Sequence, residues 1–194
     1  MSPTVDIVHE DLDVLAAMAA EMDDYLKSEV LYWPMVHGDM PKLTLGGYLM
    51  RQHRLQYLAD MLNDAERKKW DTAVHQFQAA LTEKVVRTEQ RAHEELGVRA
   101  RQWGTYLNDV QRQRAVAAVN YETAVENRVM AAALVHFLQA PPYQLDAGAV
   151  SSLETLDVGL RPHWQPGEFV WPSVWQKAYP QAEYWWLYGR PRRT

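Results

Sequence analysis

Two arginines sit where a helix wants apolar residues. The series Trp103, Leu107, Val110, Arg114, Ala117, Tyr121, Val125, Arg128 and Ala132 recurs at spacings of three and four, the signature of one helix face. A guanidinium on such a stripe must snorkel to water, be paired, or face a cavity, because burying it unpaired is costly. Gln52 is a second polar intruder, central on the apolar face of an earlier segment, and Lys84 and Glu95 are others. An antiparallel pairing of two long helices about Gly97 places Arg128 beside Trp70, where a cation–π contact would satisfy the charge. These residues define a candidate ligand site: Gln52, Trp70, Arg114, Tyr121 and Arg128. A small anion is the ligand such a set would suit, and a paired structural network is the competing explanation.

Other chemistries find less support. Helix-bundle carboxylate metal sites use Glu-x-x-His steps, and none occurs in the chain. Glu89 with His93, and Glu122 with Glu126, share helix faces but lie off the apolar stripes, so they read as solvated pairs. His53, His75, His93 and His136 are scattered, with no ligand spacing among them. No nucleophile elbow, phosphate-cradling loop or dinucleotide fingerprint is present. No catalytic residue, metal ligand or cofactor is assigned. The chain has no cysteine, which removes thiolate chemistry and disulfides. Its net charge of −5 makes it a poor match for a phosphate backbone, although Arg51, His53 and Arg54, and Arg190, Arg192 and Arg193, form local basic groups.

The elements that must position these residues are helices. Leu12, Leu15, Ala19, Met22 and Leu26 make an apolar stripe over 10–28. Pro34, Gly38 and Pro41 mark a loop, after which Thr44 can cap a second helix through Leu62. Gly46 and Gly47 in its first turn leave room for a close approach of another backbone. Asn63-Asp64 caps a third helix, expected over 65–96 and stopped by Gly97, and a fourth is expected over 99–139, ended by Pro141-Pro142. The predicted fold is all-α: an up-and-down bundle of about four main helices over 1–140, the third and fourth long and antiparallel. Residues 141–194 form an irregular Pro- and Trp-rich wrap on it, with short helices near 152–158, 173–179 and 182–188, and no strand is expected.

The N-terminus lacks the order of a signal peptide, and the most apolar stretch, Val129 to Leu138, is too short to span a bilayer. The expectation is a soluble, cytoplasmic protein that does not engage membranes or nucleic acid. Its tryptophan-rich tail either completes the monomer core or serves self-association as a homodimer. The expected function is a non-catalytic interaction or structural protein with a protein partner. The alternative is a bundle that binds a small molecule or metal, possibly as an enzyme, in a polar pocket near Arg128.

Overall fold

The computed structural model describes residues 3–112 and 121–192. Arg114 and Ala117 of the fourth-helix stripe, and Arg193, lie outside the described residues. Helix α1 spans Pro3–Lys27 and buries Leu12, Leu15, Met18, Met22 and Leu26, so its inward face follows the apolar stripe. Helix α2 spans Leu45–Tyr57, and the Thr44 hydroxyl accepts from the Gly47 N–H at 3.0 Å as its N-cap. Helix α3, Asp64–Glu83, starts with a reciprocal cap. Asn63 Oδ1 accepts from the N–H groups of Ala65 and Glu66, and the Glu66 carboxylate accepts from the Asn63 N–H at 2.8 Å.

The expected stop at Gly97 is corrected. The helix breaks at Lys84, whose φ of −133° and ψ of 42° leave the helical region, and whose ammonium pairs with Asp23 on α1. Helix α4 then runs Val85–Gln111 straight through Gly97. A mid-helix glycine costs about 1 kcal/mol relative to alanine. Continuing the helix buries Ala92, Leu96, Trp103 and Leu107 on one face, which outweighs that cost. The long antiparallel pair is formed by α4 and α5, the latter spanning Tyr121–Gln139. Arg99 Nη1 donates to Asn127 Oδ1 at 3.0 Å, and the Trp103 and Tyr121 rings lie 6.3 Å apart. Helix α3 packs on α1, and α2 lies against α5 and α1.

The tail begins with α6, Ala147–Leu160, capped by the Asp146 carboxylate at the Gly148 N–H and packed on α4. Single 3₁₀ segments at Ser173–Ala178 and Trp185–Leu187 stand where short helices were expected. A small antiparallel ribbon, β1 Trp164–Phe169 with β2 Tyr188–Pro191, stands where the sequence pattern predicts no strand. Its pairing depends on Gly189, at φ 138°, where a Cβ would stand 2.2 Å from the Gln165 carbonyl oxygen. The fold is thus mainly helical with an aromatic-rich C-terminal region. Trp164, Trp171 and Trp186 are buried with Trp103, Tyr121, Tyr179 and Leu187 in one core, while α1, α2 and α3 enclose most of another.

Candidate functional site

A groove of about 680 Å³ opens between α2, α5 and the tail. Helical spacing puts Gln52, His53 and Gln56 on its α2 side and Arg128, Ala132 and His136 on its α5 side. Helix α3 adds Phe77 and Gln78, α6 adds Leu153 and Glu154, and the tail adds Tyr179, Glu183, Tyr184 and Trp186. Gln52 and Arg128, both singled out from the sequence, meet here.

Arg128 is satisfied within the chain. Its Nε and Nη2 donate to the Asp157 carboxylate at 3.0 and 2.7 Å, a two-point pairing from α5 to α6. Its guanidinium carbon lies 3.9 Å from the centre of a Trp186 ring. The cation–π contact expected for this residue exists, but with Trp186 in place of Trp70. The reason is that α4 does not stop at Gly97: Trp70 on α3 is then carried to the other core, where it packs half-buried. Tyr121 is buried behind the groove, and its hydroxyl donates to the Trp186 carbonyl, which fixes the indole that covers Arg128. Trp70 and Tyr121 do not line the groove.

His53 is also committed. A carbonyl can only accept, so the 2.6 Å contact between His53 Nε2 and the Ala178 oxygen places a proton on Nε2. Burial holds the His53 pKa below the usual imidazole value. Neighbouring Arg54 points the other way and is 2% exposed. Its guanidinium lies 3.7 Å from a Trp175 ring centre and 4.7 Å from one of Trp171, and Nε donates to the Tyr179 hydroxyl at 3.1 Å. Asp11 of α1 faces Arg51 and Arg54 at 3.5 and 3.6 Å, and burial raises its pKa while lowering that of Arg51. His53 and Arg54 thus anchor the tail, while Arg51 turns toward Asp11 and the Gly47 carbonyl.

Sequence reasoning missed two constellations. Glu95, 0% exposed, accepts from Arg99 Nε and Nη2 at 3.1 and 3.0 Å and from the Gly46 N–H at 2.9 Å. Gly46 does permit a close approach, but of this carboxylate at the start of α2, where the helix dipole favours an anion. The i,i+4 spacing of Glu95 and Arg99 was the available signal, hidden by the assumed stop between them. The Glu89 and His93 pair is also more than a solvated one: Glu89 accepts from the Gln144 N–H at 2.8 Å and His93 Nε2 from the Asp146 N–H at 3.2 Å. Together they hold the segment that leads into α6.

Among the described residues, no three His, Asp or Glu side chains are grouped as a metal site, and no helix is long and apolar enough to cross a membrane. No protein-family model, no curated protein and no solved structure matches this chain.

Proposed function

We propose that the protein is a non-catalytic binding protein and that the groove between α2, α5 and the tail is its ligand site. One observation carries this reading: the groove has the volume of a small-molecule site, about 680 Å³, and is walled by apolar and aromatic side chains with a few amides and charges between them. Its two most suggestive polar groups are already employed in holding the walls. Arg128 ties α5 to α6 and the tail, and His53 ties α2 to the tail at Ala178. Groups held in this way serve shape and orientation rather than proton transfer, which calls for a base free to reach the reacting proton.

The test is native mass spectrometry of the untagged protein beside an Ala133→Trp variant, which fills the groove from α5 without touching Arg128. The wild type should retain a stoichiometric small mass, and the variant should lose it while keeping its helical circular dichroism. A wild-type protein of bare mass that also takes up no member of a diverse small-molecule set would sink the proposal. A bare dimer that the Ala133→Trp change splits into monomers would instead make the groove a contact between copies of the chain.

A further inference from the structure

We propose that the ligand class is a small organic cation carrying an apolar tail, such as an alkylammonium. This rests on the groove being the ligand site. The sign of the charge follows from a census of the groove lining. Among the described residues, Arg128 is its one formal cation, and Asp157 neutralises that guanidinium at two points while Trp186 covers its face. An incoming anion would have to compete with a carboxylate already seated at 2.7 Å.

The carboxylates of the lining are placed differently. Glu154 on α6 and Glu183 in the tail are exposed, and neither forms an ion pair with a Lys or Arg of the described residues. They come from separate elements that border the same opening, so a positive ligand would meet negative charge from both α6 and the tail. Glu183 is close enough to His53 and Tyr184 for its charge to act on both. The rim also offers aromatic faces. Tyr57, 42% exposed, lies beside His53 at 5.1 Å between ring centres, and Tyr184 stands edge-on to Trp186 at 5.9 Å. The Tyr184 phenol is neutral at physiological pH, and burial only raises its pKa further, to about 12. Aromatic rings beside carboxylates are the surroundings that hold alkylammonium groups. The apolar floor, from Val129, Ala132 and Leu153, would take the hydrocarbon tail.

The experiment is isothermal titration of the full chain with hexyltrimethylammonium chloride and, separately, with sodium hexyl sulfate, which carries the same tail and the opposite charge. The cation should bind saturably and the sulfate much more weakly. Glu183→Gln and Glu154→Gln should each weaken the cation about threefold, and together about tenfold, as expected for partly exposed charge pairs. Both glutamates are exposed, so these variants should keep the wild-type fold. Sulfate binding as strong as the cation's, or a double variant that binds the cation like wild type, overturns the charge assignment. If that binding still vanishes in Ala133→Trp, the groove survives as a ligand site of another class. Binding of neither probe overturns the inference too, while the groove itself is judged by the mass retained on the native protein.

Discussion

Helix α2 is held by two buried ionic centres that are built in opposite ways. At its start, Glu95 meets Arg99 and the Gly46 N–H at 2.9 to 3.1 Å, and Arg99 goes on to the Thr44 hydroxyl and to Asn127. Each oxygen of that carboxylate has a donor. Further along, Asp11 faces Arg51 and Arg54 at 3.5 and 3.6 Å, and Asp11 Oδ2 and Arg51 Nε have no hydrogen-bond partner. The first centre is a closed hydrogen-bonded network. The second is two cations and an anion pressed together, with Arg54 stacked against two indoles and donating to the Tyr179 hydroxyl. A buried ion pair offsets its desolvation only when geometry and hydrogen bonds are good, so similar inventories differ in worth. The groove inherits this asymmetry. Its helical walls, α2 and α5, are joined near the tight centre, while its tail wall, through Tyr179, rests on the loose one.

Removing the carboxylate of the tight centre should have the largest effect. Glu95→Ala leaves Arg99 buried with its main partner gone and the Gly46 N–H without an acceptor, and should lower stability by about 4 kcal/mol, within the range for breaking a buried pair. Urea unfolding followed by circular dichroism would measure it, and a loss below about 1 kcal/mol would mean that the two centres do not differ as their geometry says. A subtler change tests the same place by crowding it. Gly46→Ala gains helix propensity, yet its Cβ would stand 2.7 Å from Glu95 Oε1 and 3.1 Å from the Met130 Cβ. The methyl must push α5 or the carboxylate aside, so the expected net loss is about 2 kcal/mol despite the better propensity. Gly47→Ala is the internal control, since its nearest neighbours are the Thr44 hydroxyl at 3.0 Å and flexible side-chain ends beyond it. It should cost less than Gly46→Ala in the same unfolding assay.

The helical fold was legible where local chemistry decides structure. Thr44 and Asn63 cap as their side chains dictate, and the stripe of α1 is buried as its spacing requires. What escaped was decided at long range. Gly97 carries every local mark of a helix stop, but the stop needs a left-handed residue, and Leu96, Arg99 and Trp103 gain more by staying helical against α5 and α2. A stop at Gly97 would put Trp70 beside Arg128 and separate Glu95 from Arg99; the continuous helix does neither. Within the candidate site, Gln52 and Arg128 were found because polar residues on an apolar stripe are visible in sequence. Asp157, Trp186 and Glu183 were not, because nothing in the tail's spacing shows which of its residues return to α5 from 29 or more positions away. The ribbon of β1 and β2 was hidden for a similar reason: it has no alternating pattern and depends on Gly189 meeting Pro166 across the chain.

The smallest expected effect gives the sharpest test of the loose centre, because its sign is at stake. Burial raises the Asp11 pKa despite two neighbouring guanidiniums, so desolvation of this carboxylate outweighs its ion pairs. A folded-state pKa above the unfolded value of 3.8 means that, as pH falls, the native protein takes up a proton before the unfolded chain does. Asp11 therefore disfavours folding at neutral pH, and this penalty fades as pH drops through the raised pKa and is gone below the unfolded value. Asp11→Asn removes the titration with little change in shape. At pH 7 the variant should lie within about 1 kcal/mol of wild type, far closer than Glu95→Ala, since the charge it removes is poorly satisfied. As pH falls from 7 toward the unfolded value of 3.8, wild type should gain stability relative to the variant, as linkage requires of a raised carboxyl pKa. A relative loss over the same interval would show that Arg51 and Arg54 hold the carboxylate in its charged form. The tail would then be tied to α1 by a working ion pair, and the contrast with Glu95 would shrink to one of distance alone.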